Sequence, residues 1–293
     1  MTTISAIDKA RRASVWRDTA IITLRNVRRN LRLPQLLVFA TIQPVMFLLL
    51  FNYVFGGSIG LAIPPAAGGE YINWLLPGIA VQVAAFGSSQ TAIGLTEDLR
   101  AGAIDRFRSL PMARSAVLAG RTFADLGRNA FVVALMFVVG FIMGFRPQNG
   151  ALGVVGAFGL ALLFAYALSW IMASLGLALK DPEATQTATF IPLFPLVFAS
   201  SVFAPISTFP SWLQGFAEYQ PVSVAASAIR GMLLGRGALA EATMGPQGMT
   251  VSDAALQAAP TVAGQTLAMI AWVTVILAVF IPLSIRLYRR AVN

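Results

Sequence analysis

The sequence predicts an all-α integral membrane protein. It would have six transmembrane helices, an N-terminal amphipathic interfacial helix, and short re-entrant or interfacial helices on the outer side before the last span. Three observations predict this fold. Apolar residues make up 57% of the 293 residues and charged residues only 11%, whereas soluble domains average roughly 25% charged residues. Long apolar segments follow one another along the chain, and the basic residues concentrate in alternate connections between them.

Residues 1–33 form a predicted cytoplasmic tail with a basic amphipathic helix. At about 100° per residue, one arc of this helix is apolar and the neighbouring arc is basic. The apolar arc holds Trp16, Ala20, Leu24, Val27 and Leu31, and the basic arc holds Arg17, Arg25, Arg28, Arg29 and Arg32. Such a helix lies in the membrane interface. It is either an anchor for anionic lipid, which the pattern alone favours, or a docking surface for a cytoplasmic partner.

Residues 34–293 form a single predicted transmembrane domain. A helix needs about 20 mostly apolar residues to cross a bilayer, and six segments meet this length. They cover about 34–56, 72–95, 124–145, 151–179, 187–206 and 262–285. With this division, eighteen of the 21 Arg and Lys residues fall on the side of the two termini and three on the other side. The positive-inside rule therefore places both termini in the cytoplasm.

The connection 96–123 is the longest predicted cytoplasmic loop between spans. Its mixed charges, Gly102 and Pro111 predict short helices broken by a turn. It also carries more apolar side chains than a solvated linker needs: Ile104, Phe107, Leu110, Val117 and Leu118. We therefore expect this loop to pack against another surface.

The outer connection 207–261 predicts two short helices. The first has one apolar face, formed by Phe209, Trp212, Leu213, Phe216 and Tyr219, and ends at Pro221. The second has an apolar face formed by Val224, Ala225, Ala228, Ile229, Met232 and Leu233, and ends at Gly235. Neither run is long enough to span, so both are expected to be interfacial or re-entrant.

The composition argues against several functions. The chain contains no His and no Cys, so we expect no catalytic triad and no metal site. Its two lysines, Lys9 and Lys180, lie outside any G-x-x-x-x-G-K-[ST] pattern, so the chain is not a P-loop ATPase by itself. The basic residues flank apolar runs instead of forming a basic domain, which disfavours nucleic acid as a partner. No acidic or basic residue lies near the middle of a predicted span, which counts against an ion-driven carrier.

Two motifs carry a family resemblance. The first is Glu97-Asp98 followed by Gly102, Arg106, Pro111, Arg114 and Arg121; the second is the run 203–214, FAPISTFPSWLQ, followed by Pro221 and Ala228-Ile229-Arg230. Together with the order of the spans, they make the chain resemble the type-two ABC exporter permeases. Within that family it is most similar to the membrane subunits of daunorubicin-resistance-type drug exporters.

The resemblance implies a subunit without catalytic residues that works in a bacterial cell membrane. A second permease copy, as a homodimer, and two copies of a cytoplasmic ATPase subunit would be its partners, with ATP and magnesium bound to the ATPase and no cofactor bound to this chain. The cargo would be a drug, a lipid or another hydrophobic or amphipathic metabolite. The coupling surface would include Arg25, Arg28, Glu97, Asp98, Gly102, Arg106, Pro111, Arg114 and Arg121.

The resemblance also places the short outer helices at the exit, where Phe209, Trp212 and Phe216 would form an outer gate. An uncharged lining from the second and fifth spans suits an apolar or amphipathic cargo. This hypothesis rests on Gln82, Phe86, Gln90, Phe194 and Phe198. Two other functions stay open at this point: an ion-coupled secondary carrier or channel, and a membrane scaffold that transports nothing.

Overall fold

A computed structural model describes residues 15–32, 34–60, 70–101, 114–242 and 260–292, and every regular element in these ranges is a helix. The helices are α1 Val15–Arg32, α2 Pro34–Leu50, α3 Gly56–Gly60, α4 Tyr71–Arg100, α5 Arg114–Ile142, α6 Gly150–Leu179, α7 Pro182–Phe198, α8 Ser211–Tyr219, α9 Pro221–Leu234, α10 Arg236–Ala242 and α11 Val262–Val292. A π-helical turn, Phe51–Phe55, joins α2 to α3, and a 3-10 turn, Ile206–Thr208, precedes α8.

Four described helical stretches are long and apolar enough to cross a membrane: Leu37–Ser58, Leu118–Ile142, Gly150–Leu179 and Val262–Arg290. They coincide with the first, third, fourth and last predicted spans, which supports an integral membrane protein. The other two predicted spans correspond to α4, which has 30 residues, and α7, which has 17 residues.

Helix α4 lies at the centre of the bundle. It packs against α5, α6, α7 and α9, and 22 of its 30 residues are buried. A helix that faces protein on most sides does not need an apolar surface for lipid. Its two buried serines are satisfied within the helix: Ser88 donates to the carbonyl oxygen of Ala85 and Ser89 to that of Phe86, both at 2.6 Å. This explains why α4 is central although it carries more polar residues than a lipid-facing helix.

Helix α1 packs on the beginning of α5. Ile22 and Leu118 are buried in one cluster with residues of α4, α6 and α11, and the Thr23 hydroxyl donates to the carbonyl oxygen of Gly120 at 3.3 Å. The predicted apolar arc of α1 is not the packed face, because Trp16 is 82% and Leu24 50% exposed. That arc is therefore available to lipid, as an interfacial anchor requires.

The fifth predicted span, 187–206, is wrong at its C-terminal end. Helix α7 stops at Phe198, and the chain then turns through residues 199–205. The turn is apolar and mostly buried, so it has the hydropathy of a helix without being one. Gln220 supports it: its side-chain amide donates to the carbonyl oxygens of Leu196 at 2.8 Å and Ala199 at 3.3 Å. Two orphan carbonyls at the end of α7 are thus satisfied.

The two short outer helices are present as α8 and α9, and they meet at Gln220 and Pro221. The C-terminal end of α9 is capped by the α5–α6 connection. The main-chain N–H groups of Gln148 and Asn149 donate to the carbonyl oxygen of Leu233, and the Asn149 side chain donates to those of Gly231 and Met232. These bonds fix α9 against the connection between the end of α5 and the beginning of α6.

Arg230, which the charge count assigns to the outer loop, is fully buried in α9. Its guanidinium lies 3.6 Å from the centre of the Trp74 ring and donates to the carbonyl oxygens of Trp74 at 3.2 Å and Ser201 at 2.9 Å. Tyr71 adds a bond of 2.7 Å to the carbonyl oxygen of Phe203. A cation–π contact and charge-assisted bonds thus join α4, α9 and the turn after α7.

Candidate functional site

A cavity of about 330 Å³ lies between α2, α4, α5 and α7. Helix α4 supplies one continuous wall, because residues three or four apart share a helical face. Gln82, Phe86, Gln90, Ile93 and Glu97 follow one another along this wall. At about 1.5 Å per residue, the wall is about 22 Å long. Three of the five predicted pathway residues, Gln82, Phe86 and Gln90, are therefore placed together here.

One end of the cavity is charged. Arg121 bridges two carboxylates: its Nη1 lies 3.1 Å from Oδ2 of Asp98, and its Nε lies 3.3 Å from Oδ2 of Asp125. Arg121 and Asp125 are 7% and 4% exposed, so this is a buried ion-pair cluster. Arg128, one turn beyond Asp125 in α5, donates to the carbonyl oxygen of Gly87 at 3.0 Å.

Two glycines of α4 make this cluster possible. A Cβ atom at Gly94 would lie 1.4 Å from Nη2 of Arg121, and one at Gly87 would lie 1.8 Å from Oδ1 of Asn129. The side chains of α5 thus occupy the space that a larger residue on α4 would fill. This close approach couples the position of α5 to that of α4 at the charged end of the cavity.

Phe194 and Phe198, the other two predicted pathway residues, do not line the cavity. They extend, along α7, the aromatic lining that Phe86 and Phe190 give the cavity. Phe86 lies 5.9 Å from Phe190 and 5.2 Å from Phe194 between ring centroids, and Phe194 stacks on Phe198 at 5.7 Å. The series reaches Phe203 and Phe51 beyond Phe198. We call Phe86, Phe190, Phe194, Phe198, Phe203 and Phe51 the aromatic strip.

The predicted coupling residues fall into three groups. Arg25 and Arg28 are exposed on α1, and Glu97 is exposed at the end of α4. Arg121 is buried, as described, and holds Asp98. Gly102, Arg106 and Pro111 lie outside the described residues, and so does the side chain of Arg114, which begins α5. The loop 96–123 is thus shorter than predicted, because 96–100 belong to α4 and 114–123 to α5.

The predicted outer-gate residues belong to α8 and the turn before it. Trp212 and Phe216 are 78% and 52% exposed, on the same face as Tyr219 at 70%. Phe209 is half-buried, and its carbonyl oxygen accepts a bond of 2.8 Å from the side-chain amide of Gln214. The predicted apolar face is therefore present in α8 and exposed at Trp212, Phe216 and Tyr219, whereas Phe209 precedes the helix.

The sequence interpretation missed several residues of the cavity. Phe190, Asp125, Arg128 and Asn129 all line it. The spacing of the charged residues along the sequence could have indicated that they face the cavity together. Arg121, Asp125 and Arg128 share one face of a helix that begins well before residue 124, and Gly87 and Gly94 are two turns apart on the helix that they meet. The predicted start of the third span at 124 hid this face.

Comparison with known proteins gives consistent results. Residues 17–234 match the family model described as ABC-2 type transporter. The chain is 34% identical to the daunorubicin resistance ABC transporter permease protein DrrB1 of Streptomyces coeruleorubidus, over 80% of this chain and 81% of that protein. It is 24% identical to the probable doxorubicin resistance ABC transporter permease protein DrrC of Mycobacterium tuberculosis, over 67% of this chain and 69% of that protein. It is also 28% identical to the putative transport permease ycf38 of Pyropia yezoensis, over 72% of each chain.

Proposed function

Because the chain belongs to the ABC-2 type transporter family as a permease subunit and not an enzyme, we propose that it moves a hydrophobic or amphipathic molecule out of the cytoplasm or the inner leaflet. A separate ATPase subunit supplies the energy. The observation that carries this proposal is the cavity, whose aromatic wall leads to a charged end. Two relatives are named for resistance to daunorubicin or doxorubicin, which makes drugs of this kind the first cargo to test.

The proposed topology has six spans, with both termini on the cytoplasmic side of a bacterial cell membrane. The four candidate spans together with α4 and α7 give this number. Arg100 and Asp181, at the end of α4 and the beginning of α7, lie 4.0 Å apart, which supports placing these two ends on the same side. The distribution of Arg and Lys favours the cytoplasm for that side.

A second copy of the chain is the proposed partner within the membrane. Phe194 and Phe198 of the aromatic strip are 43% and 42% exposed, and Ile191 beside them is 68% exposed. An exposed apolar face inside a bilayer contacts either lipid or another subunit. If two copies meet along α7, the aromatic strip lines a path between them, with the outer gate of α8 at its end.

The proposed coupling surface is the end of the bundle where α1, the end of α4 and the beginning of α5 meet. Ile22, Leu95 and Leu118 lie in one buried cluster there, so a force applied to α1 or to the 96–114 segment reaches α4 and α5 together. Two copies of the ATPase subunit, each binding ATP and magnesium, would act on this surface.

We expect the triple variant Glu97→Ala, Arg106→Ala, Arg114→Ala to lose its ATPase subunit. The measurement is affinity purification of tagged protein from native membranes in mild detergent, followed by mass spectrometry. Wild-type protein is expected to bring down an ABC ATPase subunit, and the variant to retain less than about a tenth of it. Glu218→Ala, which removes an exposed carboxylate from α8, is the matched control and retains the full amount. Intact wild-type protein without a nucleotide-binding partner would contradict the proposal.

An ion-coupled carrier is the second candidate, and one observation favours it. Asp125 lines the cavity within the candidate span Leu118–Ile142, and buried acidic residues in spans often serve as proton relays. Its pairing with Arg121 weakens this alternative, because a basic side chain already occupies the Asp125 carboxylate. Cargo movement that follows an ion gradient would support the carrier.

A further inference from the structure

The far end of the cavity presents a buried hydrogen-bond acceptor. Gln82 is 2% exposed and lines the cavity at the opposite end of the α4 wall from Glu97. Its Oε1 atom has no hydrogen-bond partner among the described residues. Val83 of α4, Val132 of α5 and Pro44 of α2 also line the cavity and offer no donor. The amides of Gln43 and Asn129 line it too, but neither donates to this oxygen. A buried amide oxygen that accepts no hydrogen bond is unfavourable. The Gln82 oxygen is therefore suited to accept a hydrogen bond from a ligand.

Next to Gln82 the cavity offers aromatic surface. Phe86 follows one turn along α4, and its ring lies 5.9 Å from that of Phe190 at an angle of 33°. Two tilted rings at this separation provide flat contact area for a fused-ring molecule. Arg128 Nε, a donor without a partner among the described residues, lies further along, beside Gly87. The two ends of the cavity therefore differ in the groups that they offer.

We propose that Gln82 is a specificity residue that selects cargo with an apolar ring system and a neutral hydrogen-bond donor, such as a hydroxyl, at its leading end. The inference rests on the proposed function, because it assumes that cargo enters this cavity from its charged end. A cationic leading group is disfavoured. Asp125 and Glu97, the carboxylates that line the cavity, are at the other end, and a buried ammonium without one is costly.

Two probes that differ in one hydrogen-bond donor test this inference. 1-Pyrenemethanol and its methyl ether have the same rings and no charge. Their affinity for the permease with its co-purified ATPase subunit, in lipid nanodiscs, is read from pyrene fluorescence after subtraction of binding to empty nanodiscs. The wild-type complex is expected to bind the alcohol roughly tenfold more tightly than the ether, as one neutral hydrogen bond provides.

Gln82→Leu replaces the amide with an apolar side chain that is one atom shorter, and so removes the acceptor. It is expected to lower the affinity for the alcohol to that for the ether and to leave the ether unchanged. Gln186→Leu, which makes the same change at an exposed position of α7 outside the cavity, is the matched control and keeps the tenfold preference. Equal affinities of the wild type for both probes, or an equal loss of both in Gln82→Leu, would overturn the inference. A complex that hydrolyses ATP but binds neither probe would also overturn the inference, while the permease assignment would stand. Absence of the ATPase subunit would instead count against the proposed function itself.

Discussion

Arg121→Ala is expected to lower the midpoint of thermal unfolding of the purified protein by on the order of 10 °C and to abolish export. The substitution leaves the carboxylates of Asp98 and Asp125 without their shared cation in a buried site. Breaking a buried ion pair from one side costs about 3–5 kcal/mol, and each kcal/mol shifts the midpoint by roughly 2–4 °C in a chain of this size. Unfolding followed by tryptophan fluorescence in detergent measures the effect.

Arg100→Ala is the control for this prediction. Its guanidinium is 68% exposed and lies 4.0 Å from Asp181, and an exposed pair of this kind contributes roughly 0–1 kcal/mol. A third variant, Arg121→Met with Asp98→Asn and Asp125→Asn, removes all three charges and should recover part of the lost stability. If Arg121→Ala behaves like Arg100→Ala, the cluster does not hold α4 to α5.

Gly78→Ala is expected to destabilise the protein by about 3 kcal/mol, the upper range for overpacking a core. An added Cβ atom would lie 2.2 Å from the carbonyl oxygen of Val202 and 2.8 Å from its carbonyl carbon. Both atoms are main chain, so no side-chain rotation relieves the contact. The turn after α7 would have to move away from α4 and give up the bonds of Arg230 and Tyr71. Expression level and thermal unfolding report the loss.

Gly127→Ala makes the same change in α5, where an added Cβ atom meets nothing within 4 Å. It is expected to stabilise the protein by roughly 0.5–1 kcal/mol, because alanine has the higher helix propensity. The two variants should therefore shift the unfolding midpoint in opposite directions. A Gly78→Ala protein as stable as Gly127→Ala would show that α4 does not approach the turn so closely.

Hydropathy predicted where the long apolar helices lie but not where each helix ends. The predicted segment 151–179 matches α6 to within one residue, because Asn149 and Lys180 bound it with polar side chains. The segment 124–145 missed the first ten residues of α5, because helical structure continues past the apolar part. The segment 187–206 overran α7, because a buried turn is as apolar as a helix. Hydropathy indicates whether a residue favours an apolar environment and not which backbone conformation it adopts.

The α4 wall of the cavity could be predicted from the sequence, but the α5 residues that line it could not. Gln82, Phe86 and Gln90, which the sequence predicted as part of an uncharged lining, lie together on the α4 wall of the cavity. Asp125 and Arg128 were not predicted, because their burial depends on Gly87 and Gly94 of another helix, and contacts between helices leave little trace in a single sequence. The charge count assigned Arg230 to the outer loop for the same reason, since Trp74, on which it stacks, is 156 residues away.

ATP-driven transport by the purified complex is the most direct test of the permease function. The permease and its co-purified ATPase subunit are reconstituted into proteoliposomes, ATP and magnesium are added outside, and the fluorescence of doxorubicin inside the vesicles is followed. Accumulation that requires ATP, survives ionophores and is lost in Arg121→Ala is the predicted result. Accumulation that proceeds without ATP and collapses with the ion gradient would contradict the account and identify an ion-coupled carrier.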